Sequence, residues 1–222
     1  MFNNIKAVIF DLDGTLADTI WEIREGANMA RAEVGLPPVS YDDIKRGINV
    51  GVRHLVKTSI IDQSRADDEA YIDDMQRRYV AAYGSVFHKT EKPYDGLYEV
   101  IDSYKARGIK LAVLSNKPDA FVKVLAAKLF GDGTFSVLRG PSENGPRKPD
   151  PALTLSVLRD LHPTLTPDEC LFIGDSNVDI ETAKNAGMHS VAVTWGYRDR
   201  AFLEKYSPDI IIDRPDELLR LF

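Results

Sequence analysis

The sequence predicts an α/β protein with a mostly parallel sheet and an inserted helical domain. An apolar run without alternation, residues 5–10, predicts a strand buried on both faces, as central strands of parallel sheets are. From residue 93 onward, helical patterns alternate with short apolar strands, which is typical of repeated βα units. Between these regions, residues 20–83 show only helical spacing, so this stretch interrupts the sheet-forming chain.

The insert is predicted to be a helical domain of residues 19–83. Apolar residues recur at helical spacing from Ile20 to Ala30, and Gly35 supplies a stop signal. Later in the insert an i, i+4 stripe continues the pattern, formed by Tyr71, Met75, Tyr79 and Tyr83. Such a stripe is typical of helix packing, so we assign it no binding role.

The core domain is predicted to comprise residues 1–18 and 84–222. After the first strand, its strands are expected at residues 109–114, 135–138, 170–173, 190–194 and 210–212. Its helices are expected at residues 97–106, 120–130, 151–161 and 180–186, followed by a terminal helix. Because βαβ connections place helices on both faces of a parallel sheet, we expect a Rossmann-like three-layer core.

Charge and composition exclude several kinds of partner. The 222 residues carry 28 Lys plus Arg against 34 Asp plus Glu, a net charge of −6, which argues against nucleic acid or an anionic membrane as the main partner. No apolar run reaches the length of a membrane span, and the N-terminal residues lack a signal-peptide pattern, so we expect a cytoplasmic location. Both a monomer and a homodimer are compatible with the sequence. Cys170 is the single cysteine and is expected to be a buried strand residue.

Two carboxylates, Asp11 and Asp13, directly follow the first predicted strand. Ligands of open α/β sheets bind at such carboxyl ends. Gly14 permits a tight turn before Thr15, and the backbone N–H groups of that turn can face an anion. Two carboxylates in one small space need a cation or a proton. This segment therefore predicts a metal site, although Asp and Gly are also common turn residues.

Polar residues also follow two other predicted strands. Ser115 and Asn116 end the strand at 109–114, and Asp175 and Asp179 follow the strand at 170–173. Between them, Lys148 lies directly ahead of a proline-initiated helix. Taken alone, each of these residues can be explained without a functional role, as a turn residue, a helix cap or a surface charge. Their common location at the ends of strands and the start of a helix predicts one shared site.

Four motifs in this order resemble the haloacid dehalogenase superfamily of phosphohydrolases over nearly the whole chain. They are Asp-Leu-Asp-Gly-Thr at 11–15, the Ser115 motif, the Lys148 motif and Gly-Asp-Ser-x-x-Asp at 174–179. The insert lies between the first and second motifs, which is similar to the helical cap of a subgroup including phosphoglycolate phosphatases and β-phosphoglucomutases. The segment Trp195-Gly196-Tyr197 resembles the phosphoglycolate phosphatases most.

The resemblance implies a covalent route for hydrolysis of a small phosphorylated metabolite. Asp11 is expected to attack phosphorus and form an aspartyl-phosphate. Asp13 is expected to give a proton to the leaving alcohol and then take one from water. Lys148 would balance the charge that accumulates on Asp11 and the phosphoryl group. The remaining expected phosphate-binding groups are Ser115, Asn116, Gly14 and Thr15.

The resemblance also implies Mg²⁺ as the cofactor. Its expected ligands are the side chains of Asp11 and Asp175 and the backbone carbonyl of Asp13, and oxygen-only ligands favour magnesium over zinc. Asp179 is expected to hold Lys148 or the water ligands of the metal in place, and Ser176 is expected to support the site in the same way; neither is expected to bind the metal directly.

The substrate remains open at this stage. A phosphoglycolate-like ester is the leading expectation, and the alternatives are a phosphomutase of the β-phosphoglucomutase type, a sugar-phosphate or nucleotide phosphatase, and a regulatory binding protein that keeps the fold. The acid at Asp13 argues against carbon–halogen cleavage. Lys45 and Lys57 offer no sign of the desolvation that a Schiff-base lysine needs. In the insert, Arg53 and Arg46 are the residues expected to meet a distal anion of the substrate.

Overall fold

The computed structural model describes residues 2–142 and 145–222, and the chain forms two compact units. One unit comprises Met1–Asp18 and Lys92–Phe222, and the other comprises Thr19–Glu91. The first boundary coincides with the predicted one. The second lies at 91/92 instead of 83/84, because the last long helix of the insert continues to Val86 and is followed by a short 3-10 helix.

The insert is helical throughout its regular structure, as its sequence spacing predicts. Its α-helices are α1 (Ile20–Ala32), α2 (Tyr41–Gly47), α3 (Val52–Leu55) and α4 (Glu69–Val86). A π-helical turn follows α3 at Val56–Ile60, and 3-10 turns lie at Gln63–Arg65 and Phe87–Lys89. The predicted stripe is buried along α4, so it forms the packing face of this helix.

The other unit contains a six-stranded, all-parallel sheet, which confirms the predicted fold class. Its strands are β1 (Ala7–Phe10), β2 (Lys110–Leu114), β3 (Val137–Arg139), β4 (Cys170–Gly174), β5 (His189–Val193) and β6 (Ile210–Ile212). The order is β3-β2-β1-β4-β5-β6. The chain therefore extends the sheet first on one side of β1 and then on the other, which makes β1 and β4 the topological switch point.

The central strand is buried on both faces, which explains its lack of alternation. Val8 and Phe10 pack into one hydrophobic cluster, whereas Ala7 and Ile9 pack into a second. Helices that supply these clusters are α5 (Leu97–Ala106), α6 (Asp119–Phe130), α7 (Pro151–Leu161) and α8 (Asn177–Ala186). The short helix α9 (Arg200–Glu204) adds a small third cluster.

One predicted helix boundary and one predicted helix type in this unit are wrong. Helix α8 begins at Asn177 instead of Ile180, because Ser176 and Asp179 form a capping box that starts the helix earlier. The expected terminal helix is a six-residue 3-10 helix, Pro215–Arg220. No helix in the described part of the chain combines the length and apolar character that a membrane span requires.

Candidate active site

The carboxyl ends of β1, β2 and β4 carry the buried polar residues that the sequence singled out. Phe10 at the end of β1 is in register with Val113 of β2 and Ile173 of β4. The next residue, Asp11, continues this pairing, since its backbone N–H donates to the Ile173 carbonyl at 2.9 Å. Parallel register therefore brings the polar ends of three neighbouring strands to one edge of the sheet.

Three buried carboxylates form a cluster at this edge. Asp11, Asp175 and Asp179 each present an oxygen, and these atoms lie within 4.8 Å of one another. Burial raises the pKa of the Asp11 carboxyl to about 7, although the Lys148 ammonium opposes this shift. Burial and the charges of Asp179 and Asp11 also raise the pKa of Asp175 well above its usual range.

The raised pKa of Asp11 determines how the cluster responds to pH. The folded chain holds a proton on Asp11 that the unfolded chain releases near pH 3.8. The resulting contribution to stability is therefore present below pH 3.8 and is lost as the pH rises through about 7. At neutral pH a cation can replace the proton.

Lys148 is the buried cation of this cluster. Its Nζ lies 2.8 Å from Asp11 Oδ1 and 2.7 Å from Asp179 Oδ1, and its side chain is 2% exposed. Burial alone would lower the pKa of this ammonium, but the two carboxylates more than offset that effect and raise the pKa above its usual range. One lysine thus serves a cluster of three buried carboxyl groups, so when all three are ionised its charge leaves an excess of negative charge.

The donor set fits a hard divalent cation. Asp11 and Asp175 offer carboxylate oxygens, and neither sulfur nor imidazole is part of the cluster. Asp179 is already engaged, because it accepts hydrogen bonds from the Ser176 backbone and hydroxyl at 3.0 and 2.6 Å as well as from Lys148. Asp11 and Asp175 are therefore the better candidates for direct metal ligands, and Asp179 with Ser176 supports them.

Asp13 is not one of these three carboxylates and pairs with a different lysine. Its Oδ1 accepts from Lys117 Nζ at 2.7 Å, and the side chains of Lys117 and Asp13 are only 3% and 11% exposed. The sequence analysis assigned no role to Lys117. A lysine two residues after Ser115, at the end of an apolar strand, was the signal for it.

The turn after β1 is tightly constrained by its surroundings. Gly14 has a φ of +83°, and a Cβ at this position would overlap Asp175 Oδ2. Thr15 is buried, and its hydroxyl is 3.5 Å from Asp175 Oδ1. The sequence placed Gly14 and Thr15 beside a bound phosphate. In the structure both lie against Asp175 of the fourth motif.

Ser115 and Asn116 occupy the end of β2, and both are buried. The Asn116 amide donates to the Lys148 carbonyl at 3.0 Å and accepts from the Lys148 backbone N–H at 2.9 Å. The side chain of Asn116 therefore fixes the backbone of Lys148 in place. Phosphate binding by Asn116 stays a prediction, and it concerns the backbone N–H of Asn116 because the side chain is engaged with Lys148. The Ser115 hydroxyl accepts from the Lys117 backbone N–H at 3.3 Å.

The segment after β5 holds Asp175 in place, a role that the sequence analysis missed. The Tyr197 backbone N–H donates to Asp175 Oδ2 at 2.7 Å, and Trp195 Nε1 donates to the Thr15 carbonyl at 3.0 Å. A Cβ at Gly196 would overlap Asp175 and the Gly14 carbonyl. These residues thus tie the turn after β1 to Asp175, which is a structural reason for the Trp-Gly-Tyr sequence.

Arg53 is placed in the helical insert, where two carboxylates already engage it. Its guanidinium contacts Glu69, and its Nη1 lies 2.6 Å from Asp73 Oδ1, with both acidic side chains on α4. Arg46 similarly pairs with Asp43 on its own helix. The roles of these two arginines in substrate binding stay predictions.

The chain belongs to the haloacid dehalogenase-like hydrolase family, whose sequence profile matches residues 8–193. This match confirms the resemblance based on the four motifs. A relative named phosphoglycolate phosphatase, from Agrobacterium fabrum, is 33% identical over 205 residues, which cover 92% of this chain and 87% of the relative. The crystal structure of an inferred phosphoglycolate phosphatase from Lactobacillus delbrueckii has a TM-score of 0.87 and 30% identity, and covers 98% of each chain.

Another relative has a different name. N-acetylmuramic acid 6-phosphate phosphatase from Pseudomonas aeruginosa is 30% identical over 216 residues, covering 97% of this chain and 93% of the relative. These relatives are thus all named phosphatases, whereas the substrates in their names differ.

Proposed function

We propose that this protein is a Mg²⁺-dependent phosphatase that hydrolyses a small phosphomonoester through an aspartyl-phosphate intermediate. The observation that carries the proposal is the buried carboxylate of Asp11, paired with Lys148 at 2.8 Å at the switch point of a parallel sheet. An anionic nucleophile at this position needs cations around it to meet a phosphate dianion, and the site offers both a lysine and a donor set for a metal.

In the first step Asp11 attacks phosphorus in line with the ester oxygen. The Asp11 oxygen–phosphorus bond forms while the bond from phosphorus to the leaving oxygen breaks, and that oxygen takes a proton from Asp13. In the second step water attacks the phosphorus and passes a proton to the Asp13 carboxylate. The Asp11 carboxylate leaves, so both residues return to their starting states.

The remaining residues stabilise the charge of the transferring phosphoryl group. Ser115 and the backbone N–H groups around Gly14 would donate hydrogen bonds to its oxygens, and Lys148 would balance the charge shared with Asp11. Asp11 and Asp175, together with the backbone carbonyl of Asp13, would hold Mg²⁺. When bound, the metal would neutralise charge on the phosphoryl oxygens and replace the proton that the cluster otherwise retains.

Purified protein with Mg²⁺ is expected to release phosphate from p-nitrophenyl phosphate and from small alkyl phosphates. Excess EDTA should stop this reaction, and added Mg²⁺ should restore it. Failure to hydrolyse any member of a phosphate-ester panel would contradict the phosphatase proposal. Undiminished hydrolysis in EDTA would contradict the metal dependence alone.

Phosphoglycolate is the substrate we propose first, because the relatives with the highest identity carry that name. A sugar phosphate is the second candidate, because a relative of similar identity is named for N-acetylmuramic acid 6-phosphate. The panel should therefore contain both esters and be scored for phosphate release and for isomerised product, which separates phosphatase from phosphomutase.

If Arg53 binds a distal anion, Arg53→Ala should raise the KM for phosphoglycolate far more than the KM for p-nitrophenyl phosphate. Loss of one charged hydrogen bond predicts a rise of about tenfold or more. Arg77→Ala is the matched control, because Arg77 is an exposed arginine of the same unit paired with Asp74. Equal effects on both substrates would limit Arg53 to its ion pairs with Glu69 and Asp73.

A further inference from the structure

Lys117 forms a buried ion pair with Asp13 that is separate from the ion pairs of Lys148. The 2.7 Å contact joins Lys117 Nζ to Asp13 Oδ1, and the lysine side chain is 3% exposed. Lysine is almost never buried to this extent without a partner, because the ammonium loses its hydration. The site thus contains two buried lysines, one for Asp11 and Asp179 and one for Asp13.

Stability alone is a poor reason for this ion pair. The desolvation of two charges often exceeds their mutual attraction, and well-packed apolar residues of similar volume are commonly as stable or more stable. The pair does, however, fix the orientation of the Asp13 carboxylate. A carboxylate two residues from Asp11 could otherwise turn towards a cation held by Asp11 and Asp175.

We propose that Lys117 is a positioning residue that holds the Asp13 carboxylate away from the metal ligands Asp11 and Asp175 and directs it to the leaving oxygen. This inference rests on the proposed function. The Lys117 ammonium donates to Oδ1 of this carboxylate at 2.7 Å. Asp13 and Asp11 are two residues apart, and their different lysine partners give them different chemical roles.

The backbone of Lys117 is itself held in place. Its N–H donates to the Ser115 hydroxyl at 3.3 Å. A Cβ at Gly140 would overlap the Lys117 carbonyl, and the Gly140 N–H donates to Asp119 Oδ1 at 2.9 Å. The turn after β3 therefore packs directly against the Lys117 backbone. Such support is what a positioning residue requires, because its own geometry must be fixed first.

A crystal structure of Lys117→Met with Mg²⁺ tests the positioning directly, without reference to activity. Methionine has a similar length and no charge, so the expected result is an Asp13 carboxylate rotated from its present position towards Asp11 and Asp175. An Asp13 carboxylate that stays in place would overturn the proposal. If the variant does not crystallise, the kinetic comparison below decides the question by itself.

Kinetics distinguish positioning from a general effect on the fold. Lys117→Met is expected to lower kcat for an alkyl phosphate by about 10²-fold, the usual contribution of a general acid. For p-nitrophenyl phosphate the first phosphoryl transfer, measured as the burst of p-nitrophenol, should fall less than about tenfold, because this leaving group departs without a proton. In a protein that already carries Asp13→Asn, Lys117→Met should lower kcat for the alkyl phosphate by less than about threefold.

Lys123→Met is the control, since Lys123 is exposed on α6 and pairs with Asp119 at 2.6 Å. It should leave kcat for both substrates unchanged. The Lys117 assignment would be overturned if kcat for the alkyl phosphate and the p-nitrophenol burst fell by the same factor, or if the loss were the same with and without Asp13. Hydrolysis by the wild-type protein would still support the proposed function. Absence of hydrolysis by the wild-type protein would overturn the proposed function, and the Lys117 role with it.

Discussion

Asp11→Asn is expected to lower kcat for phosphate release by at least about 10⁴-fold, because it removes the nucleophile of the reaction. An amide oxygen is a poor nucleophile, and it cannot leave as a carboxylate in the second step. The fold should survive, since the substitution removes one of three buried carboxylates and leaves Lys148 paired with Asp179 at 2.7 Å. The melting temperature in EDTA at pH 8 should therefore be unchanged or higher.

The matched control is Asp132→Asn, an exposed aspartate of the same unit. It makes the same chemical change and should retain full activity. Normal turnover by Asp11→Asn would exclude Asp11 as the nucleophile.

Isotope labelling tests the covalent step more directly than loss of activity does. A single turnover in H₂¹⁸O, with enzyme in excess over substrate, leaves the label in phosphate if water attacks phosphorus, and in the Asp11 carboxylate if water attacks carbon. Under the proposed route the aspartyl-phosphate is opened at phosphorus, so the released phosphate carries the label. A labelled phosphoenzyme trapped by acid quench should map to the peptide that contains Asp11.

The position of the site residues at strand ends could be predicted, because the hydrophobic pattern identifies the strands and the parallel topology brings their ends together. The buried run before Asp11 and the apolar run before Asp175 identify parallel strands, and parallel strands in register must bring these residues together. Ser115 follows from the same argument. The family resemblance then assigns roles that spacing alone leaves open.

Partners of the side chains were much less predictable. Asn116 is engaged with the backbone of Lys148, 32 residues further along the chain, and Tyr197 reaches Asp175 through a backbone N–H. Arg53 is held by acidic residues 16 and 20 positions away on α4. Such contacts depend on rotamers and loop geometry, which hydrophobic periodicity does not contain. Lys117 belongs to the same group.

Lys148→Met is expected to reduce both activity and stability, for two separable reasons. Loss of the cation beside Asp11 should lower kcat by about 10²–10³-fold, the range found when one group that stabilises transition-state charge is removed. Stability should fall by about 3–5 kcal/mol, because Asp11 and Asp179 are then left as buried carboxylates without their lysine. Lys105→Met, a change at an exposed lysine of α5, is the control for both measurements.

The double variant Lys148→Met, Asp179→Asn separates these two effects. Removing the Asp179 charge relieves part of the electrostatic cost, and the asparagine oxygen can still accept the N–H of Ser176 that caps α8. Denaturant unfolding should therefore show recovery of stability relative to Lys148→Met alone. Because the cation beside Asp11 is still missing, kcat should stay low. If activity recovers together with stability, the loss in Lys148→Met came from the fold, and Lys148 has no part in the charge balance of phosphoryl transfer.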